Sequence, residues 1–188
     1  MSSHHFVRAE QADCLIVVNN HIQPDLFAQL LEWNPIIVAT ESSLEWLTSQ
    51  DIKVDVLLTN QTNIDFPYPV QLLPILNVFE AIEYFENTLK VEGISIVGDS
   101  DTQPYLDFML KKGNKNMVMM ESDAKYFLLM NGDQFKKHMF VGEEWQYYPE
   151  KRFQTNANLE YFFNGFKVLK EEIVVIHATG NFIFKELV

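Results

Sequence analysis

Short polar side chains gather in four places, each just after an apolar run. They are Asn19-Asn20, Glu41-Ser42-Ser43, the run Thr59 to Asn63 (Thr-Asn-Gln-Thr-Asn), and Asp99-Ser100-Asp101 following Gly98. Carboxylate, amide and hydroxyl oxygens can ligate a hard divalent cation or hydrogen-bond a polar ligand. The same residue types cap helices and close turns, so each one also has a structural use. As a set they outline a pocket if the fold brings the four places to one edge. No common catalytic motif accompanies them: the sequence has no Gly-rich phosphate loop, G-x-S-x-G elbow, H-E-x-x-H or paired cysteines. The five histidines (His4, His5, His21, His138 and His177) are scattered through tail, connections and a strand end, and none is placed for catalysis.

The elements that must position these groups alternate between buried strands and amphipathic helices. Residues 15–19 (LIVVN) read as a strand covered on both faces. Gln23-Pro24-Asp25 opens a helix with an apolar stripe of Leu26, Leu30 and Trp33, and Pro35 ends it. A second strand runs from Ile36 to Thr40, and Ser42 or Ser43 is expected to cap a helix that turns Leu44 and Leu47 inward. Val54 to Leu58 is a third strand. This spacing predicts right-handed βαβ units and a parallel sheet, whose ligands sit at the carboxyl ends of the strands.

Asp65 to Pro74 carries three prolines and can hold little helix. Val78, Ile82, Phe85 and Leu89 then share a helical face, Ile94 to Val97 is a strand, and Asp101 or Thr102 caps a helix ending at Gly113. Met117 to Met120 is the last strand of this part. From Lys125 onward, short aromatic and branched runs broken by Asn131-Gly132, Gly142, Asn164-Gly165 and Gly180-Asn181 predict antiparallel β-structure. Ile173 to Ile176 and Phe182 to Phe184 read as a terminal hairpin. The expected organisation is an α/β domain over 1–123 followed by a β-sandwich domain over 124–188.

Composition narrows the function. Among 188 residues, 47% are apolar and fifteen are Phe, which means a folded chain with a thick core. The net charge of −12, with no basic cluster larger than a pair such as Lys111-Lys112 or Lys136-Lys137, excludes nucleic acid as a main partner. The single Cys14, at the start of a core strand, reads as a buried free thiol. With no run resembling a signal peptide or a membrane span, a cytoplasmic protein is expected.

In order and spacing, residues 15–132 resemble the thiamine pyrophosphokinases. In that family a first strand ends in an alanine-asparagine-glycine-like turn, matched here by Val17-Val18-Asn19-Asn20. A second strand ends in Asp-Gly-Gly before a Leu-rich helix, where this chain has Thr40-Glu41-Ser42-Ser43 and then Leu44-Glu45-Trp46-Leu47. The family's Ile-Lys-Pro-Asp, leading to a strand that ends Gly-Asp-x-Asp-Ser, is matched by Ile52-Lys53-Val54-Asp55 and Thr59-Asn60-Gln61-Thr62-Asn63. Asn77 to Tyr84 is similar to the family's following helix, and Gly98 onward to its glycine-led turn. Thr155-Asn156 is a weak match to its thiamine-contacting Ser-Asn segment.

The resemblance implies a homodimeric enzyme transferring the diphosphate of Mg-ATP to thiamine, with strand-end carboxylates holding Mg2+ and positioning the nucleophile. By position it implies Glu41, Asn60 and Thr62 at the catalytic places. It puts Asn19, Asn20, Ser42, Ser43, Asn63, Asn77, Gly98, Asp99, Ser100 and Asp101 around the cofactor, Thr155 and Asn156 at the substrate, and Glu41 and Asp99 as the remaining metal ligands. This sequence departs from the family where the charge matters most. Asn60 and Thr62 are neutral, the acidic run before the third helix is Leu-Leu-Pro-Ile-Leu with Asn77 after it, and the later Arg and Asp-His fall on Gln103, Tyr105 and Leu106. Three readings follow: a family-like protein with weak or lost kinase activity, a working divergent kinase, or an unrelated α/β binding protein with a β-rich tail.

Overall fold

The computed structural model describes residues 13–20, 22–62, 64–98 and 101–187. The chain divides into two compact units, one made of residues up to Asp101 with Asn116–Ser122, the other of Thr102–Lys115 with Asp123–Val188.

The first unit is a parallel sheet with helices. Its strands and helices follow in order as β1 (Cys14–Val17), α1 (Pro24–Leu31), β2 (Ile36–Thr40), α2 (Glu41–Ser49), β3 (Val56–Leu58), β4 (Gln71–Leu73), α3 (Val78–Tyr84) and β5 (Ile94–Val97). Helix α4 (Gln103–Lys112) belongs to the second unit, and β6 (Met117–Met120) returns to the first. The six strands lie side by side as β6-β5-β1-β2-β3-β4, each pair parallel. β1, β5 and β6 are buried at every position, as expected where helices cover both faces of a parallel sheet. Burial pushes the Cys14 thiol well above its ordinary range, with Asp13 adding to the effect, so it behaves as a core residue.

Three sequence expectations for this unit need correction, and one further strand is not foreseen by them. Helix α1 ends at Leu31, so its buried residues are Phe27 and Leu30, and Trp33, past the end, is 54% exposed. Thr40, not Ser42 or Ser43, is the N-cap of α2, which already begins at Glu41. The proline-rich stretch hides a three-residue edge strand, β4, where a neighbouring proline costs no ladder bond. Finally, α3 widens into a π-helical turn over Phe85–Leu89. The wider turn carries Leu89 off the stripe of Val78, Ile82 and Phe85, leaving it 44% exposed.

The second unit is an antiparallel β-sandwich. Its strands are β7 (Ala124–Leu129), β8 (Gln134–Met139), β9 (Glu144–Tyr148), β10 (Phe153–Thr155), β11 (Leu159–Phe162), β12 (Gly165–Val168), β13 (Glu172–Ala178) and β14 (Phe182–Leu187). One sheet runs β11-β12-β9-β14-β7 and the other β10-β13-β8. Between them lies an aromatic core, in which Phe135 of one sheet sits 5.4 Å from Phe127 and 5.6 Å from Trp145 of the other. Phe153 lies 5.4 Å from Phe182 and 5.9 Å from Phe166, at the offset and edge-on distances aromatic pairs prefer. The expected terminal hairpin does not form: β13 pairs with β8 and β10, while β14 pairs with β7 and β9. The Thr179-Gly180-Asn181 corner switches the chain between sheets, so its two flanking strands are sequence neighbours but not partners.

Candidate functional site

The parallel register aligns the strand ends. Val17 pairs with Ala39 and Val97, and Thr40 with Leu58, which in turn pairs with Leu73. Val18-Asn19, Glu41, Thr59 and Gly98 therefore emerge along one edge of the sheet. The N-terminus of α2 opens at the same edge.

Most of the polar groups there are bonded to one another or to backbone. Thr40 Oγ1 and Ser42 Oγ each donate to the carbonyl of Val18, both at 2.7 Å. Ser43 is fully buried, donates to Val17 O at 2.6 Å and accepts from the backbone N–H of Thr40 at 3.0 Å. Three hydroxyls thus tie the start of α2 to the end of β1. Thr59, only 2% exposed, donates its hydroxyl to Glu41 Oε1 and accepts from Gln61 N at 3.0 Å. Gln61 Nε2 lies 3.5 Å from the same carboxylate oxygen. The Glu41 carboxylate, at the start of α2, is therefore already held by its neighbours.

Asn60 and Thr62 are exposed beside that cluster. Gly98 has φ +148°, and a Cβ built on it would lie 2.9 Å from Asn19 Oδ1 and 3.1 Å from Asn19 N. Only glycine lets the β1 and β5 ends approach this closely. Asn20 and Asp101 are exposed. Asn77 caps α3 by accepting from Phe79 N at 2.9 Å, after the carboxyl end of β4. Asn63, Asp99 and Ser100 lie outside the described residues. Thr155 and Asn156 belong to the second unit, where Thr155 Oγ1 accepts from Ala157 N at 3.2 Å and so closes a turn.

Lys53, the basic residue nearest in sequence, is at the wrong end of the sheet. It pairs at 3.3 Å with Asp55, whose other oxygen accepts from Ile37 N at 3.0 Å at the amino ends of β2 and β3. Among the described residues no three His, Cys, Asp or Glu side chains gather as a metal-holding group. Mg2+ on a polyphosphate needs several hard anionic oxygens. At this edge Glu41 is engaged by its neighbours, and among the described residues no two further acidic side chains gather with it, so the described donors do not fit the ion.

Sequence reasoning found the four polar stretches but missed their partners. Thr40 carries an N-cap signal, a threonine three residues before Ser43. The bond from Thr59 to Glu41 crosses from one βα turn to another, and no local pattern announces it.

A parallel α/β unit with a polar strand-end edge, coupled in sequence to an antiparallel sandwich, is a recurrent architecture, and solved structures that share it are thiamine pyrophosphokinases. Thiamin pyrophosphokinase from Candida albicans matches with a TM-score of 0.65 at 12% identity, over 97% of this chain and 91% of that one. The Geobacillus thermodenitrificans protein gives 0.63 at 9% over 93% and 97%, and the Bacillus subtilis protein 0.62 at 10% over 93% and 98%. No protein-family model and no curated protein matches the sequence. This chain has the thiamine pyrophosphokinase fold.

Proposed function

We propose that this is a thiamine pyrophosphokinase-like protein with weak or lost kinase activity, whose strand-end edge binds a small molecule, thiamine or nucleotide-like, without a metal. The carrying observation is the state of Glu41, bonded by Thr59 and Gln61 and flanked by neutral Asn60 and Thr62. Phosphoryl transfer rests on positioning and on neutralising phosphate charge. An edge where Glu41 is engaged by its neighbours and the residues at the catalytic places are amide and hydroxyl, with Lys53 at the opposite end of the sheet, supplies little of either. In this reading residues 1–123 form the nucleotide-binding-like domain and 124–188 the thiamine-binding-like domain. The protein acts in the cytoplasm as a homodimer, a placement favoured by the free buried Cys14 and a dimer implied by the family resemblance.

The test is formation of AMP and thiamine diphosphate from ATP, thiamine and Mg2+, run beside the Bacillus subtilis enzyme. A rate lower by about a thousandfold or more is expected, the scale lost when transition-state charge stabilisation is removed. Comparable magnesium-dependent turnover would refute the proposal.

A further inference from the structure

We infer a second ligand site, for a small aromatic carboxylate, in the cleft between α4 and the outer face of the five-stranded sheet. The pleat defines that face. Phe182 and Phe184 of β14 and Trp145 of β9 fill the sandwich core, so Ile183, Lys185, Gln146 and Tyr148 turn to the other side. Register then builds two cross-strand rows there. Leu128, Ile183 and Tyr148 make one, and Tyr126, Lys185 and Gln146 make the other.

Helix α4 packs against β7 and β14, and Leu128 and Ile183 of the first row are fully buried. Beside them a cleft of about 200 Å3 remains, lined chiefly by Leu106, Tyr126, Gln146, Tyr148, Ile183 and Lys185. Its wall is braced: Tyr148 donates its hydroxyl to Asp107 Oδ1 at 2.8 Å, and Gln103 Nε2 donates to the same oxygen at 3.0 Å. This anchors the Tyr148 ring to α4 before any ligand arrives.

The chemistry of the occupant follows from the lining. Lys185 Nζ lies 5.3 Å from the centre of the Tyr126 ring, and no described carboxylate is within 4 Å of it. A cation beside an aromatic face in a partly apolar cleft favours an anion that brings its own ring. Tyr126, Tyr148, Leu106 and Ile183 provide flat and apolar contacts, and Gln146 stands beside Lys185 to hydrogen-bond a carboxylate. The volume admits about one substituted ring. A single ammonium neutralises a monoanion but not a polyphosphate, and it disfavours cationic thiamine, so this site is independent of the strand-end edge.

The test titrates the full chain with sodium benzoate, benzamide and inorganic phosphate, followed by calorimetry and backbone amide shifts. Benzoate is expected to bind saturably, shifting the amides of Tyr126, Gln146 and Tyr148, with benzamide at least tenfold weaker and phosphate silent. Lys185→Gln should weaken benzoate at least tenfold and leave benzamide unchanged, and Leu106→Trp, which fills the cleft, should remove both. Thermal midpoints check that the variants fold, and the three probes on the unmodified chain decide the matter if they do not. No benzoate binding at 10 mM, equal affinity for benzamide, phosphate binding as well as benzoate, or unchanged benzoate affinity in a folded Lys185→Gln protein would each overturn the assignment.

Discussion

Thr59 spends one hydroxyl twice, donating to Glu41 and accepting from the backbone of Gln61, while being almost wholly buried. Thr59→Val keeps the shape and removes both bonds, leaving Glu41 without its nearest donor. A loss of about 1–2 kcal/mol in urea unfolding is expected, the scale of a part-buried hydrogen bond to a charged group, with Thr59→Ser recovering most of it. An unchanged midpoint for Thr59→Val would mean that Glu41 is not held by this residue. The residue types at this edge were legible in the sequence because strand ends collect caps and turns. Their obligations were not. Ser43 bonds a carbonyl twenty-six residues away and Thr59 a carboxylate eighteen residues away, and both distances exist only once β1, β2 and β3 are in register.

At the scale of elements, legibility tracked how local the cause was. β1 and most of β2 stand out as continuous apolar runs because both faces are covered, and β5 reads as a buried strand although Ser95 interrupts it. β4 is too short and too close to Pro74 to read. The crossing from β13 to β14 escapes a local reading, since Phe182 and Phe184 would fit a hairpin as well as they fit the opposite sheet. One polar group ties those sheets together. Lys137 on β8 bonds Glu186 on β14 and lies 3.3 Å from Glu143, which accepts from the Trp145 indole at 2.8 Å and from Phe140 N at 3.0 Å. Burial works against the Glu143 charge, but the Phe140 amide, the Trp145 indole and Lys137 outweigh it, so its pKa is lowered. Burial likewise opposes the Lys137 charge and is outweighed by Glu186 and Glu143, so its pKa is raised. The Glu143 contribution is therefore present above the unfolded carboxylate value and lost as pH falls through the lowered folded value. The Lys137 contribution is full below the unfolded lysine value and lost as pH rises through the raised one. Glu143→Gln should lower the thermal midpoint at neutral pH, and the gap to the unmodified chain should close on acidification below the ordinary glutamate range. A gap independent of pH would show that packing, not charge, is what Glu143 supplies.

For the whole molecule, the fold does not depend on the residues that the resemblance puts at the catalytic places. The parallel sheet and sandwich need apolar runs, turn residues and an aromatic core, none of which depends on Asn60 or Thr62, both exposed past the end of β3. Metal affinity needs the opposite, several carboxylates around one point on an edge that contributes little to folding. On the proposed reading, a scaffold with this geometry should gain magnesium affinity when carboxylates are added at those two positions. Asn60→Asp with Thr62→Asp adds two carboxylates beside Glu41, and in that double variant Mg2+ should bind at least tenfold more tightly by calorimetry, with little change in thermal midpoint. The chain already carries −12, so diffuse attraction of cations must be separated from a site. Salt near 0.15 M screens charges beyond about 8 Å, and Lys170→Glu changes the net charge by the same two units at an exposed position of the other compact unit. Tighter binding in the double variant but not in Lys170→Glu would show that the β3 loop still presents a magnesium geometry. Equal binding in the two would show that the added charge acts diffusely and that the loop presents no magnesium geometry.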